Sequence, residues 1–177
     1  MWNTIDQSWT LFLDRDGVIN TRKMGGYIEH VEEFEFLPGV LEALVQFNNK
    51  FGRIVVVTNQ QGIGKGIMTE EQLAHVHAHM LAGVTQAGAR IDRCYFAPEL
   101  SSPTNQMRKP NSGMGYAAQN DFPEIDFSKS VMVGDSDSDI EFGIKLGMKT
   151  VRIGGNADAL PSADLQVEAL IDFAKVL

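Results

Sequence analysis

The first polar cluster of the chain, Asp14-Arg15-Asp16-Gly17, carries two carboxyl groups that could do chemistry together. One of two neighbouring carboxyl groups can attack a substrate as a nucleophile while the other donates a proton to the leaving group. Gly17 permits a sharp turn that could bring both groups to one place. Taken alone, the cluster is equally well explained as an ordinary Asp-Gly turn without a catalytic function.

A second cluster offers groups that bind phosphate. Thr58, Asn59 and Gln60 directly follow a run of apolar residues, and glycines follow at positions 62, 64 and 66. Hydroxyl, amide and exposed backbone N–H groups can all donate hydrogen bonds to phosphate oxygens. The spacing differs from that of a P-loop, which ends in Gly-Lys-Ser or Gly-Lys-Thr. Taken alone, a flexible turn explains this segment better than a phosphate site does.

A third cluster is basic, with Arg108 and Lys109 standing directly before Pro110. A lysine held in this loop could neutralise a phosphate group and a nucleophilic carboxylate at the same time. Taken alone, the pair is better explained as two solvated surface charges.

A fourth cluster places acids at alternate positions, Asp135, Asp137 and Asp139, after the apolar run that ends in Gly134. Carboxylate oxygens are the ligands of hard cations such as Mg²⁺ and Ca²⁺. The segment lacks the glycine and the distal glutamate of an EF-hand, so the calcium-loop interpretation fails. The same acids, with Ser136, also suit the start of a helix. We expect both roles here, on different residues.

The clusters follow short apolar runs that alternate with segments of helical periodicity. The pattern predicts strands at 9–13, 53–57, 91–96, 130–133 and 149–153, and helices at 38–51, 69–87, 114–120, 137–146 and 166–176. Such alternation is typical of a three-layer α/β fold, with a mainly parallel sheet between helices on both faces. Ligands bind these sheets beyond the carboxyl ends of the strands. We therefore expect Asp14, Thr58 and Asp135 at one edge of the sheet.

Composition bounds the function. The chain has 177 residues, with 15 Lys and Arg against 23 Asp and Glu, for a formal net charge of −8. This length predicts a single domain over residues 1–177. The negative balance argues against nucleic-acid binding, and the apolar runs are too short for a membrane span. With no signal-type segment and one cysteine, Cys94, we expect a cytoplasmic protein without disulfides.

Taken together and in this order, the four clusters resemble the haloacid-dehalogenase-like (HAD) phosphatase superfamily, whose fold is Rossmann-like. The superfamily pattern is Asp-x-Asp-Gly, a strand-end Thr or Ser, a Lys, and Gly-Asp with a further acid. The resemblance implies that Asp14 is the nucleophile that forms an aspartyl-phosphate, and that Asp16 protonates the leaving alcohol and then activates water. It further implies that Thr58 binds the transferring phosphoryl group and that Lys109 holds Asp14 and the phosphate oxygens.

The resemblance also implies a magnesium site. Asp135 would bind Mg²⁺ together with the Asp14 carboxylate and the backbone carbonyl of Asp16, and Asp139 would support these ligands through water. A nucleophilic carboxylate and a phosphate dianion repel each other, so attack requires cations. Mg²⁺ and Lys109 would supply roughly three positive charges where negative charge develops.

Spacing excludes a large cap domain. Asp14 and Thr58 are 44 residues apart and Thr58 and Lys109 are 51 apart, and the predicted helices and strands fill both intervals. A separate cap would need about 50 residues of its own. Short loops must then select the substrate.

Local sequence up to about residue 155 is similar to the bacterial heptose-bisphosphate phosphatase and histidinol-phosphatase group, and Gly26-Tyr27-Ile28 favours the heptose branch. The resemblance implies five substrate contacts: Asn20, Tyr27, Asn59, Gln60 and Arg108.

Many members of that group carry a zinc loop, with Cys-x-His followed later by Cys-x-Cys. The corresponding positions here are 97–99 and 105–107, and none of their residues is Cys or His. We therefore predict that the chain binds no zinc.

The leading hypothesis is a Mg²⁺-dependent phosphomonoesterase that acts on a small sugar phosphate such as D-glycero-D-manno-heptose 1,7-bisphosphate, as a monomer or small homo-oligomer. The alternatives are a histidinol-phosphate phosphatase, a polynucleotide 3′-phosphatase, which the net charge disfavours, and a non-catalytic phosphate-binding module.

His75, His77 and His79 share one predicted helix. Without a third ligand, we interpret them as a solvated or interface face rather than a metal site.

Overall fold

A six-stranded parallel sheet forms the centre of the protein in the computed structural model, which describes residues 2–155 and 160–177. The strands are β1 (Thr10–Leu13), β2 (Arg53–Asn59), β3 (Arg93–Ala97), β4 (Ser130–Gly134), β5 (Lys149–Ile153) and β6 (Leu165–Val167). They are ordered β3-β2-β1-β4-β5-β6. The central strands β1, β2 and β4 carry the apolar runs 11–13, 54–57 and 131–133, which are buried because both faces of the sheet are covered, the usual state of parallel sheets.

Five helices cover the two faces in the described part of the chain. They are α1 (Val40–Asn48), α2 (Glu70–Gln86), α3 (Gly113–Asp121), α4 (Asp137–Leu146) and α5 (Leu170–Val176). Side chains alternate across a strand, so β1 sends Leu11 and Leu13 to one face and Phe12 to the other. Leu11 and Leu13 pack with buried residues of α1, α2 and α5, whereas Phe12 packs with those of α3 and α4. The predicted three-layer α/β fold is confirmed.

The helix boundaries follow from local chemistry. At the start of α2, the Gln72 N–H donates to Thr69 Oγ1 over 3.1 Å, and the Thr69 N–H donates to Gln72 Oε1 over 2.8 Å. This reciprocal capping box satisfies two donors that the helix leaves free. At the end of α4, Gly147 adopts a left-handed φ of 75°, which glycine accommodates without strain.

The predicted helix over 166–176 is wrong in its first part, because Leu165–Val167 forms the edge strand β6. Its residues pair in parallel with Val151, Arg152 and Ile153 of β5. The helix α5 begins only at Leu170, after the extended residue Ala169. Three residues are too few for a hydrophobic period to distinguish strand from helix.

Between the strands that carry the polar clusters, loops and single helices fill the chain, and no large cap is evident. None of the helices in the described residues combines the length and the apolar character that crossing a membrane requires.

Candidate active site

The carboxyl ends of β1, β2 and β4 bring three polar clusters to one edge of the sheet. Leu13 of β1 lies in register with Val56 of β2 and Val133 of β4. Asp14 follows directly, and its N–H donates to the Val133 carbonyl over 2.9 Å, which continues the sheet by one bond. Because β4 ends one residue later at Gly134, Asp135 reaches the same edge.

Lys109 is buried at the centre of this edge, where two carboxylates share its charge. Its Nζ lies 2.8 Å from Asp14 Oδ1 and 2.6 Å from Asp139 Oδ1, and donates to the Val57 carbonyl over 2.6 Å. Asn59 fixes the lysine backbone, because its amide accepts from the Lys109 N–H over 2.9 Å and donates to the Lys109 carbonyl over 3.1 Å. The basic loop is thus held against the end of β2.

Burial, together with the charges at this centre, shifts the pKa values of its carboxyl groups. Burial raises the pKa of Asp14 to about 7, with a further contribution from the nearby Asp139 charge, while Lys109 opposes the rise. Burial also raises the pKa of Asp135 to about 6, although the Arg22 charge opposes it. For Lys109, burial favours the neutral form, but the charges of Asp139 and Asp14 outweigh it and hold the lysine pKa above its usual value. The lysine therefore stays charged.

Asp16 lies beside this centre with both oxygens bound by side-chain donors. Arg15 donates through one terminal nitrogen to Oδ1 and Oδ2 over 2.9 and 3.1 Å, Asn20 to Oδ1 over 3.0 Å, and Gln60 to Oδ2 over 3.0 Å. Burial alone would raise the pKa of Asp16, but the charge of Arg15 and these hydrogen bonds outweigh it and lower the pKa. The donors keep Asp16 ionised and fix its orientation.

The family resemblance predicts that Asn20 and Gln60 contact substrate, but the structure places both on the side of Asp16 away from the cavity. Asn20 is fully buried, and Gln60 is 1% exposed and also donates to Thr58 Oγ1 over 2.9 Å. Neither residue is among those that line the cavity above the site. Their amides turn inward because the half-buried Asp16 carboxylate needs donors, and sequence spacing does not reveal that demand. Thr58 itself is the penultimate residue of β2, rather than the first after it.

Three carboxylates are close enough to share one cation. Ligand oxygens of Asp14, Asp135 and Asp139 all lie within 4.8 Å of one another. All three are hard oxygen donors, which fits Mg²⁺ better than zinc or another soft metal. Asp139 is the least free of the three: its Oδ1 faces Lys109, and its Oδ2 accepts from the N–H and hydroxyl of Ser136 over 3.1 and 2.7 Å. It therefore supports the cluster and the start of α4 at once.

A cavity of about 550 Å³ opens above these groups, a size typical of small-molecule sites. Asp14, Asp16, Thr58 and Lys109 lie on its wall, together with three of the predicted substrate contacts, Tyr27, Asn59 and Arg108. The remaining cationic side chains of the wall are Arg22, Lys23 and Lys65. The cavity thus joins an acidic floor to a basic wall.

The loop that carries Arg108 and Lys109 is organised by Asn105. The Asn105 side-chain oxygen accepts from the N–H groups of Met107 and Arg108 over 2.9 and 3.0 Å, and its amide nitrogen donates to the Leu100 carbonyl over 3.3 Å. The side chain of Asn105 therefore links Leu100 to the backbone just before Lys109 and holds the loop together.

Sequence reasoning missed Arg15 and misread His77. Arg15 is fully buried, and one of its terminal nitrogens lies 3.2 Å from Nε2 of His77 in α2. Burial, with a smaller contribution from the Arg15 charge, lowers the pKa of His77 to about 3. The interpretation of a solvated face holds for the exposed His75 and His79 but is wrong for His77. An arginine between two acids was the available signal, since a buried guanidinium needs partners.

Comparisons with known proteins show the family of the chain. A family model described as HAD-hydrolase-like matches residues 106–167. The D-glycero-alpha-D-manno-heptose-1,7-bisphosphate 7-phosphatase of Mycobacterium tuberculosis is 36% identical over 171 residues, covering 94% of this chain and 90% of that protein. The D-glycero-beta-D-manno-heptose-1,7-bisphosphate 7-phosphatase of Photorhabdus laumondii is 34% identical, covering 94% of each.

The solved structures give the same result. The D,D-heptose 1,7-bisphosphate phosphatase from B. bronchiseptica, complexed with magnesium and phosphate, superposes with a TM-score of 0.84 at 26% identity, covering 95% of this chain and 97% of that one. These relatives and the shared fold lead to one conclusion: the chain belongs to the HAD-like phosphatases, in the heptose-1,7-bisphosphate 7-phosphatase family.

Proposed function

We propose that the protein hydrolyses one phosphate ester of a small phosphorylated sugar, with Asp14 as the nucleophile. The observation that carries this proposal is the buried Lys109, which holds the Asp14 carboxylate at the floor of a cavity with cationic walls. A fixed carboxylate beside a fixed ammonium group is suited to attack on phosphorus, because the lysine offsets the repulsion between the two anions.

In the proposed reaction, an Asp14 oxygen forms a bond to phosphorus while the bond from phosphorus to the ester oxygen breaks, which leaves an aspartyl-phosphate. Asp16 gives its proton to the departing alcohol. A phosphate dianion approaching Asp16 favours the protonated form, because like charges raise each other's pKa. Asp16 then takes a proton from a water molecule that attacks the aspartyl-phosphate, and this step restores Asp14 and releases phosphate.

The remaining site residues support these steps. Thr58 and Lys109 would bind the phosphoryl oxygens, and Tyr27, Asn59 and Arg108 would contact the rest of the substrate. We assign Asn20 and Gln60 to the orientation of Asp16 rather than to substrate contact, since both donate to its carboxylate.

The proposal includes Mg²⁺ as the cofactor. Asp14, Asp135 and the Asp16 backbone carbonyl would hold it, and Asp139 would support them. When bound, Mg²⁺ supplies positive charge to the phosphate oxygens. We propose no zinc site, because positions 97–99 and 105–107 carry neither Cys nor His. Hydrogen bonds from the backbone of Met107 and Arg108 to the Asn105 side chain hold this loop instead.

The names of the relatives make heptose 1,7-bisphosphate the first substrate to test, with cleavage of the 7-phosphate. Phosphate release should be measured with Mg²⁺ on both anomers of this sugar, on histidinol phosphate and on an oligonucleotide with a 3′-phosphate. We expect kcat/KM to be highest for one heptose anomer and lowest for the oligonucleotide. Preference for histidinol phosphate would overturn the substrate assignment, and no release from any ester would overturn the proposed function.

A matched pair of variants links the activity to the cation site. Asp135→Asn removes a candidate magnesium ligand, whereas Asp137→Asn changes an exposed acid two positions away on the start of α4. We expect a loss of activity at saturating substrate for the first variant only, with partial recovery at high Mg²⁺ concentration.

A further inference from the structure

We propose that His77 is a positioning residue for Asp16 and acts on it through Arg15. The proposal rests on the proposed function, because it takes Asp16 as the proton donor and acceptor. His77 lies in α2, 62 residues from Arg15 in sequence, on the face of the helix that packs on the sheet. Its imidazole is thus separated from the cavity by the guanidinium group that holds Asp16.

The side chain of Arg15 has no exposed surface. A buried guanidinium group is costly unless its charge is paired and its N–H groups are bonded. The Asp16 carboxylate pairs the charge through one terminal nitrogen of Arg15. The Nε of Arg15 has no hydrogen-bond partner within the described residues, so the second terminal nitrogen provides the remaining attachment.

The second terminal nitrogen of Arg15 lies 3.2 Å from His77 Nε2. Arginine has no acceptor, so the hydrogen bond requires His77 to accept with an unprotonated Nε2 and to carry its proton on Nδ1. His77 is 8% exposed, and its ring meets Phe96 edge-on with centroids 6.5 Å apart. The packed ring therefore presents a fixed acceptor to Arg15.

The contact between Arg15 and His77 also bears on Asp16. A planar guanidinium group that is anchored at one terminal nitrogen has little freedom to rotate, so its other terminal nitrogen stays aimed at the carboxylate. Without the His77 acceptor, Arg15 can turn or draw water into the core, and Asp16 loses its charged donor from a fixed direction. Proton transfer is sensitive to such displacement.

The experiment compares two esters that differ in their need for a proton. The C7 alcohol of heptose 1,7-bisphosphate is a poor leaving group that needs protonation, whereas p-nitrophenolate leaves without it. kcat/KM reports the steps up to departure of the leaving group. For His77→Leu we expect kcat/KM to fall about tenfold on the heptose and to stay within about twofold on p-nitrophenyl phosphate.

Further variants separate positioning from folding. His77→Gln restores an acceptor near the position of Nε2 and should recover most of the activity on the heptose. If His77→Leu does not fold, His77→Asn, whose shorter amide falls short of Arg15, takes its place with the same expectation. The matched control is His75→Leu, which alters an exposed histidine of the same helix. It should leave kcat/KM unchanged on both esters.

Equal losses on both esters, or none, in a folded variant would overturn the role of His77 while leaving the proposed function intact. A wild-type protein that hydrolyses neither of the two esters would instead overturn the proposed function.

Discussion

Lys109 lies between two buried carboxylates, so the centre of the site carries one more negative charge than positive charge. Its Nζ contacts both Asp14 and Asp139, and all three side chains are almost fully buried. Unpaired charge is expensive in such surroundings. The excess is relieved by a proton, which explains the raised pKa of Asp14, or by a metal cation bound at the same oxygens. The residues themselves thus favour cation binding.

Replacing Lys109 tests this balance. Lys109→Met keeps an unbranched side chain only one atom shorter, but leaves Asp14 and Asp139 without their shared cation. We expect kcat to fall at least about 10²–10³-fold, as when a fixed electrostatic donor is removed from an active site. Breaking a buried ion pair should also lower the free energy of unfolding by about 3–5 kcal/mol. Both can be measured, by phosphate release and by urea unfolding at pH 8.

The control for this change is Lys145→Met, which alters an exposed lysine of α4 and should change neither quantity. A folded Lys109→Met variant with undiminished kcat would contradict the role assigned to the lysine.

At the residue scale, the sequence predicts the polar residues that lie at the end of an apolar strand or directly after it. Asp14, Thr58 and Asp135 could be placed at one edge because the carboxyl ends of parallel strands meet there. The inward orientation of Asn20 and Gln60 could not be predicted, because it depends on the demand of Asp16 for donors. The Arg15–His77 contact was also out of reach, since it joins a turn to a helix 62 residues away.

At the scale of elements, the turn after β1 fits against the end of β4 at a glycine. Gly17 has a φ of +88°, and a Cβ built there would lie 2.1 Å from Asp135 Oδ2. A side chain at this position would therefore displace the Asp135 carboxylate as well as strain the backbone. The glycine of the Asp-x-Asp-Gly cluster is explained by this close approach of two elements.

Gly17→Ala should consequently weaken metal binding. Displacement of Asp135 removes one of the candidate ligands, so we expect the Kd for Mg²⁺, measured by calorimetry, to rise at least about tenfold, equivalent to about 1.4 kcal/mol. Gly88→Ala is the matched control, because Gly88 also has a left-handed φ, +82°, but no atom of residues 2–155 and 160–177 lies within 4 Å of the added Cβ.

The control variant should lose only about 1–2 kcal/mol of stability from the strained backbone and keep its affinity for Mg²⁺. Equal Mg²⁺ affinity in both variants would contradict the contact between Gly17 and Asp135 as the cause.

The elements themselves were predictable to different degrees. The capping box at Thr69 and Gln72 and the terminal Gly147 defined α2 and α4 from local signals that act within one turn. The edge strand β6 has no such signal, and it forms because β5 offers it an unpaired edge. Its existence depends on the sheet, which a local window of sequence does not contain.

At the scale of the whole molecule, the protein carries a net charge of −8, whereas the wall of the cavity is basic. Arg22, Lys23, Lys65, Arg108 and Lys109 all line the cavity, although Lys and Arg together number only 15 in the chain. An acidic surface repels polyanions, whereas a small anion that enters the cavity meets cations. This distribution agrees with a small phosphorylated ligand and disfavours nucleic acid.

The raised pKa values predict that pH and Mg²⁺ act together on stability. Folding raises the pKa of Asp14 to about 7 and that of Asp135 to about 6, so from about pH 4 to 7 the folded state binds more protons than the unfolded state. The contribution of these groups to stability therefore falls as pH rises through this range. Mg²⁺ competes with the protons, so it should stabilise the protein more at pH 8 than at pH 5.

Thermal unfolding with saturating Mg²⁺ and with EDTA, at several pH values, checks this expectation. The increase in Tm caused by Mg²⁺ should grow from pH 5 to about pH 8 and then level off, and Asp135→Asn should flatten the curve. An increase in Tm that is independent of pH would show that the metal binds away from these carboxylates.

The central claim is that Asp14 is the nucleophile, and phosphate release by Asp14→Asn tests it most directly. The amide has the shape of the carboxylate but neither its charge nor its nucleophilicity, so the variant should fold and its kcat should fall below detection with Mg²⁺ present. A folded Asp14→Asn variant that releases phosphate at the wild-type rate would contradict the mechanism proposed for this site.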